Sequence, residues 1–263
     1  AYYRQLADTG ALFVGLQETR TKQRGVFEID GFLRVASPSC KGQYGVEISI
    51  NNRVRWTRAV NKDNISVLIE EPRLLVLTVH CKGIVVLLIC AHAPQELHAE
   101  CIEWWNNTRR LCAPICAKYR NIVFMGDVNT QIGAHGSLSV GTYGGKESNH
   151  GVMFTQFLEE CKLWIPSTFN EHLVDLEWDS NCTFYCKADK KYKRIDYIAC
   201  SIPIQAQPAS AFVDCDFDMI NEHDDHFPTV SVLHLACDKA DLPWRRRKLM
   251  YDPHLMGNSN SAR

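Results

Sequence analysis

The chain has 263 residues, of which 46% are hydrophobic and 22% charged, and its formal net charge at pH 7 is −1. This composition is that of a globular protein, which excludes disordered and collagen-like classes, and the length suits one large domain or two small ones. Because the net charge is close to zero, binding to a polyanion such as DNA would have to come from local basic patches.

The predicted elements begin with a short helix in "YYRQLADTG" and a buried strand in "ALFVGLQE". Five more β-rich runs follow, in "FLRVASP", "GVEISI", "ISVLIEE", "LLVLTVH" and "IVVLLICA". A long helical segment, "PQELHAECIEWWNNTRRLCAPICAKY", precedes the strand "IVFMGDVN", a loop rich in Gly, Ser and His, and the helix "GVMFTQFLEECKL". Four last strands are predicted in "TFYC", "RIDYIAC", "SAFVDCDF" and "FPTVSVLHLAC".

About ten strands with two or three helices do not alternate as a doubly wound α/β protein requires, so two packed sheets with outer helices are predicted. After Cys237 the sequence becomes basic and then polar. We therefore expect one domain over residues 1–237 and a basic linker or tail over 238–263. The chain shows no signal peptide, and its longest apolar run is far shorter than the ~20 residues that span a bilayer, which predicts an intracellular protein with no membrane partner.

The chain has 12 cysteines, many of them inside apolar runs, such as Cys90 and Cys200. This pattern favours buried free thiols of a reducing compartment over a disulfide framework. Two C-x3-C pairs, one at Cys112 and Cys116 and one in "CTFYC", leave a zinc site open as an alternative.

Polar residues stand where several of the predicted strands end. Asp127 and Asn129 follow "IVFM" and are two residues apart, so on a strand they point to the same side. Each such residue alone is explained by a turn, a cap or an ion pair. Together, however, they predict an oxygen-rich rim with two imidazoles, which suits Mg²⁺ and phosphate-ester chemistry. The other members of this set are Glu18, His92, Asp196, Asp225 and His226.

Five motifs in chain order, "LQET", "HAP", "GDVN", "RIDYI" and "DDHFP", resemble the endonuclease/exonuclease/phosphatase superfamily. The resemblance covers nearly the whole chain and is closest to the endonuclease domains of LINE-type non-LTR retrotransposons. It implies an α/β (α+β) four-layer sandwich, in which two mainly antiparallel β-sheets are flanked by helices. It also implies a phosphodiesterase that depends on Mg²⁺, with Mn²⁺ as the possible substitute.

The resemblance assigns a role to each catalytic candidate. Asp127 would activate the attacking water, and Asn129 would hold the scissile phosphate. His226 would act at the phosphate, with Asp196 as the carboxylate that orients it. His92 would serve the leaving oxygen.

Metal and substrate residues follow from the same resemblance. Glu18 matches the Mg²⁺ ligand, and Asp225 matches a further carboxylate on the metal side, with Asp224 ranked second. Thr183 of "CTFY" stands where retroelement members carry a small hydroxyl residue near the phosphate.

The segment "KADKKYKR" places five basic residues beside Asp196, among them Lys193 and Arg194. Composition alone favours a solvated hairpin, but beside a phosphodiester site such a loop would follow a nucleic-acid backbone. The later stretch "PWRRRKLMYDP" resembles linkers to a reverse transcriptase. The sequence therefore predicts a DNA endonuclease of a retroelement polyprotein, with a downstream reverse transcriptase domain and a nuclear site of action.

Two features depart from the family pattern. No Asn-bearing strand precedes Tyr2, so the resemblance implies a truncated first strand. Lys193 replaces the aromatic residue of abasic-site enzymes, which argues against that specificity. Three alternatives stay open: a phosphatase of the same superfamily acting on lipid or inositol phosphates, a catalytically inactive nucleic-acid-binding fragment, and a fragment that lacks a central strand and is not an active protein at all.

Overall fold

The structure, a computed structural model, describes residues 2–95, 99–205, 207–218 and 225–235. Its helices are α1 (Tyr2–Asp8), α2 (Cys101–Cys116) and α3 (Gly151–Cys161). Its strands are β1 (Phe13–Leu16), β2 (Gly25–Ile29), β3 (Phe32–Ala36), β4 (Glu47–Asn51), β5 (Ile65–Glu71), β6 (Leu74–Cys81), β7 (Ile84–His92), β8 (Asn121–Asp127), β9 (Leu163–Trp164), β10 (Phe184–Cys186), β11 (Lys191–Lys193), β12 (Asp196–Ser201), β13 (Ser210–Val213) and β14 (Thr229–Val232).

Two sheets carry most of the strands. Sheet I has the order β1-β4-β3-β2, and all of its neighbouring strands are antiparallel. Sheet II has the order β5-β6-β7-β8-β12-β9, and only β7 and β8 are parallel among its described pairs. Two antiparallel pairs, β10–β11 and β13–β14, complete the described strands.

Successive side chains of a strand point to opposite faces of the sheet, so sheet I packs against a different layer on each face. Ile48 and Ile50 of β4 enter the core that lies between the two sheets. The alternate residues face α1, where the Tyr3 hydroxyl donates to Glu47 at 2.7 Å and the Tyr3 ring packs on Phe32 at 5.2 Å. Glu47 is fully buried, but Arg34 pairs with it, so the charge is not left uncompensated.

A second core lies between sheet II and the helices α2 and α3. Trp105 of α2 packs against Phe154 and Phe157 of α3, and both phenylalanines contact Phe124 of β8. Each fully buried aromatic side chain contributes about 1.5–3 kcal/mol relative to its exposed state. The layers therefore run α1, sheet I, sheet II and then α2 with α3, which confirms the predicted four-layer sandwich.

Three predicted details differ from the structure. Strand β2 is not among the predicted strands, although Asp30 and Gly31 after it have φ of 48° and 74°, as a two-residue hairpin turn requires. Short strands β9 and β11 were also missed. Helix α2 begins at Cys101, later than the predicted segment.

Several predictions stay untested. Residues 236–263 lie outside the described part of the chain, so the predicted boundary near 237 and the basic tail remain predictions. The predicted loss of a first strand also stays a prediction. Within the described part, β1 pairs with β4, and β14 pairs with β13. None of the described helices has the length and apolar character needed to cross a bilayer.

Candidate active site

Three neighbouring strands of sheet II bring polar residues together at one edge. In the parallel pair β7–β8, His92 lies opposite Asp127, and in the antiparallel pair β8–β12, Asp127 lies opposite Asp196. Residues directly opposite on neighbouring strands share a face of the sheet. The register therefore places an imidazole and two carboxylates side by side, as the predicted rim requires.

Asp127 is held by the turn that follows β8. Its Oδ1 accepts the backbone N–H of Asn129 at 2.9 Å, and Asn129 adopts a left-handed φ of 50°, which asparagine tolerates. The Asn129 side-chain amide donates to the Ala93 carbonyl at 2.9 Å and to Asp127 Oδ2 at 3.3 Å. Asn129 thus fixes the orientation of the carboxylate.

His226 reaches this edge from the segment before β14. Its Nδ1 lies 3.0 Å from Asp196 Oδ2, and its ring packs on Phe184 with the centroids 4.8 Å apart. The main chains of Phe184 and His226 also form an isolated antiparallel bridge. Asp127, Asp196 and His226 offer ligand atoms that all lie within 4.8 Å of one another, so they form one compact cluster.

Thr183 supports this cluster through hydrogen bonds to the backbone of β12 and the residue before it. Its hydroxyl accepts the backbone N–H groups of Ile195 at 3.1 Å and Asp196 at 3.0 Å, and the residue is 1% exposed. The sequence proposed contact with substrate, but these bonds point to a different task. Thr183 positions the start of β12 and with it the Asp196 carboxylate.

The charges at this edge differ strongly between the two histidines. Burial and then the positive charge of Arg73 lower the pKa of His92 to about 4. Burial also lowers the pKa of His226, but the charge and hydrogen bond of Asp196 outweigh it and raise that pKa to about 9. At neutral pH the site therefore holds one neutral imidazole and one imidazolium.

Asp127 has a perturbed carboxyl group. Burial, followed by the charge of Asp196, raises the pKa of Asp127 to about 8. Nearby positive charge favours the ionised form of a carboxyl group, and a bound divalent cation would act in that direction. A carboxyl group that titrates near neutral pH suits a general base.

The metal candidates lie around this cluster. Glu18 Oε1 is 3.8 Å from His92 Nε2, and Asp127 Oδ2 is 3.9 Å from the same nitrogen. Asp225 contributes to the raised pKa of His226, and its carbonyl accepts the Tyr185 N–H at 2.7 Å. Neither Glu18 nor Asp225 belongs to the compact cluster, and Asp224 lies outside the described residues.

The donor set at this edge fits a hard divalent cation. Mg²⁺ and Mn²⁺ prefer carboxylate and carbonyl oxygens, and the edge offers several carboxylates at short range. The C-x3-C pairs do not enter the metal-capable cluster of the described residues, and the described cysteines form no disulfide. An oxygen-bound cation is therefore better supported than zinc.

The two basic substrate candidates fall in different places. Lys193 Nζ is 3.0 Å from Asp189 on the β10–β11 hairpin and is half-buried. Arg194 is 3% exposed and donates to the carbonyls of Asn181 at 2.8 Å and Ser167 at 2.6 Å. Its guanidinium also lies over the rings of Tyr143 and Trp178. Arg194 therefore builds the loop framework, and it is not placed to contact a substrate.

Three further residues lie beside Glu18 and His92 and are not among the site residues predicted from the sequence. They are Arg20, Tyr44 and Arg73, which line a cleft of about 250 Å³ with those two residues. Arg20 could have been found from its position two residues after Glu18. Tyr44 and Arg73 carry no motif, because only the packing of three loops brings them to the site.

Comparison with known proteins supports the fold. No family model matches the chain, and no curated protein sequence matches it. Solved structures do match. The endonuclease domain of TRAS1, a telomere-specific non-LTR retrotransposon, is 18% identical, with a TM-score of 0.58 over 88% of this chain and 89% of that one.

Two further structures match to the same degree. An AP endonuclease from Archaeoglobus fulgidus is 15% identical, with a TM-score of 0.61 over 88% of this chain and 92% of that one. The 3′ phosphatase NExo from Neisseria, solved with a product DNA hairpin, is 17% identical, with a TM-score of 0.60 over 89% and 93%. These likenesses confirm the endonuclease/exonuclease/phosphatase fold that the five motifs predicted.

Proposed function

From this fold and this edge of sheet II, we propose that the chain is a divalent-metal-dependent phosphodiester hydrolase that nicks DNA. One observation carries the proposal. The buried carboxyl group of Asp127 lies between His92 on one neighbouring strand and Asp196 on the other, and Asp196 pairs with His226, whose pKa it raises to about 9. Hydrolysis of a phosphodiester needs a base for water, positive charge at the phosphate and a donor for the leaving oxygen.

Each residue has a task in this reaction. Asp127 takes a proton from the attacking water as the new P–O bond forms. The His226 imidazolium, held by Asp196, stabilises the added negative charge on the phosphate oxygens. His92, neutral at working pH, gives a hydrogen bond to the leaving oxygen as the old P–O bond breaks, and this oxygen then takes its proton from solvent water.

Asn129 acts as a positioning residue, because its amide already has acceptors in Ala93 and Asp127. Glu18 and Asp225 are the proposed ligands of Mg²⁺ or Mn²⁺. When bound, the cation neutralises phosphate charge and favours ionised carboxylates. Thr183 supports Asp196, and Arg194 is left out of the substrate contacts because it is buried.

DNA is the proposed substrate, in the context of a retroelement polyprotein with a downstream reverse transcriptase domain, acting in the nucleus. The TRAS1 domain supports the retroelement context, and the NExo complex shows a protein of this fold with DNA. The NExo match is also named a 3′ phosphatase, which keeps phosphomonoester hydrolysis as the second candidate.

We expect the protein to nick supercoiled plasmid in Mg²⁺ or Mn²⁺ and to lose this activity completely with excess chelator. The measurement is the conversion of supercoiled to open-circular DNA, run beside the release of phosphate from a soluble inositol phosphate. Nicking without phosphate release supports the endonuclease. Phosphate release alone would support the phosphatase, and DNA binding with neither activity would identify a binding module.

The β10–β11 hairpin is the proposed path of the DNA backbone. Strand β10 carries Phe184, which contacts His226, so the hairpin adjoins the site. Its lysines at 187, 190 and 191 are exposed. Replacing all three with glutamine should weaken binding to every duplex about equally. The slope of log affinity against log salt should fall by about 0.9 for each phosphate contact that is lost.

A matched triple variant controls for net charge. Lys62, Lys82 and Lys118 are exposed and lie at the other end of sheet II from Asp127, and they are replaced with glutamine. Binding is measured by fluorescence anisotropy over a salt series. Equal slopes for the two triple variants would mean that the hairpin is only a solvated loop.

A further inference from the structure

A cleft lies beside His92, on the side away from His226. In sheet II the strands run β6, β7, β8 and β12, so the turn before β6 and the start of β12 flank His92 and Asp127 from opposite sides. The cleft has a volume of about 250 Å³. Glu18 and His92 line it toward the site, and the remaining lining residues are Arg20, Gln43, Tyr44, Arg73 and Gln95.

Backbone bonds fasten the three loops that form this cleft. The Arg20 N–H donates to the Tyr44 carbonyl at 2.8 Å, and the Gly45 N–H donates to the Pro72 carbonyl at 2.8 Å. Gly45 has a φ of 92°, and a Cβ there would lie 2.8 Å from Thr19 Oγ1, so only glycine allows this approach. The cleft is therefore a built feature of the fold.

Arg73 is oriented toward the cleft by its contacts. Its guanidinium lies 3.7 Å from the centre of the Tyr44 ring and donates to the His92 carbonyl at 3.1 Å. The side chain is only 13% exposed, and its ion-pair partner among the described residues, Glu100, is 3.9 Å away and largely exposed. A nearly buried cation with so distant a partner is available for a stronger anion.

The other groups of the cleft also favour an anion. Arg20 is 67% exposed and pairs with Glu18 at 3.1 Å. The cleft carries two guanidinium groups against the one carboxylate of Glu18, and arginine matches the geometry of phosphate oxygens. Because Arg73 already covers a face of the Tyr44 ring, the cleft is a poor platform for stacking a base.

We propose that this cleft binds the DNA phosphate next to the one that is cleaved, on the side of the leaving oxygen. The inference rests on the proposed function, since His92 is assigned to that oxygen. Arg73 supplies a fixed bidentate contact, and Arg20 supplies a second, mobile one. The cleft thus sets the register of the strand without reading its bases.

The test compares Arg73→Gln and Arg20→Gln with the control Arg58→Gln, which changes an exposed arginine outside the cleft. Binding of a fluorescent duplex is measured by anisotropy in chelator, where no cleavage is expected. Each cleft variant should bind about tenfold more weakly or worse, because a charge-assisted hydrogen bond to phosphate is lost. The double variant should also lower the salt slope by about 0.9, which corresponds to one phosphate.

A second arm identifies the phosphate on the DNA side. Single neutral methylphosphonates are placed at each phosphate around a nick mapped with the parent protein. At the position next to the nick, the methylphosphonate should weaken the binding of the parent. The binding of Arg73→Gln should not be weakened further by the same methylphosphonate. Additive losses at every position would mean that Arg73 contacts a different group.

The outcomes separate the two proposals. Affinity and salt slope equal to those of Arg58→Gln would overturn the phosphate subsite, even if the parent nicks plasmid. A parent that neither nicks nor binds duplex would overturn the proposed function and the subsite with it. If Arg73→Gln melts at a much lower temperature, Arg20→Gln decides, because its side chain is largely exposed and not part of the packed core.

Discussion

Replacing Asp127 with asparagine is expected to slow nicking by about 10²–10⁴-fold, which is the usual contribution of a general base. Asparagine keeps the shape of the side chain, and its oxygen still accepts the Asn129 N–H. It cannot take a proton from water. The measurement is the single-turnover nicking rate with enzyme in excess over DNA, so that a change in binding is kept separate from a change in chemistry.

The same substitution should not destabilise the protein at neutral pH. Burial raises the pKa of Asp127 to about 8, so ionising this group opposes folding above its unfolded pKa, and this penalty is relieved as the pH falls. A neutral amide removes the penalty, and the melting temperature should stay equal or rise. Such a gain in stability with a loss of rate is typical of a residue kept for function.

A matched control is Asp8→Asn, which changes an exposed aspartate at the end of α1. It should leave both rate and melting temperature unchanged. If Asp127→Asn nicks DNA at the rate of this control, Asp127 does not belong to the catalytic set. A rate loss accompanied by a large fall in melting temperature would point instead to a structural role.

Replacing His226 with glutamine is expected to lower the rate by about 10²–10³-fold, because the charge that faces the phosphate is lost. The pairing with Asp196 raises the pKa of His226 to about 9, so loss of the imidazolium should lower the rate of the parent only above that pH. The pairing also stabilises the fold. That stability is fully present below the ordinary histidine pKa of about 6.5 and is lost as the pH rises through about 9.

Asp196→Asn gives the sharper test of this charge. Without the carboxylate, the pKa of His226 should fall toward or below its ordinary value, so the alkaline limb of the pH–rate profile should move to lower pH. The variant should therefore lose more of its rate at pH 8 than at pH 6. A uniform loss at all pH values, with the limb in place, would show that Asp196 does not hold His226 charged.

Much of the fold follows from local sequence. Apolar runs such as "IVVLLICA" and "IVFM" predicted the central strands, because alternation and burial are properties of short segments. Polar residues directly after those runs indicated where Glu18, His92 and Asp127 would lie. The hairpin turn at Asp30 and Gly31 is also a local feature, because an Asp-Gly pair is a usual sequence for a two-residue turn.

The sequence by itself thus determined which residues could do chemistry, through the five motifs and through polar groups at the ends of strands. Only the tertiary structure decided which of them meet. His92, Asp127 and Asp196 are distant in the chain, and their contact depends on the register of three strands, which no local pattern specifies. The sequence predicted that Thr183 and Arg194 contact the substrate. In the structure both side chains are buried, because they form hydrogen bonds with backbone N–H and C=O groups that would otherwise lack partners. The cleft of Arg20, Tyr44 and Arg73 arises from three separate loops, and it exists only because their backbone groups bond to one another.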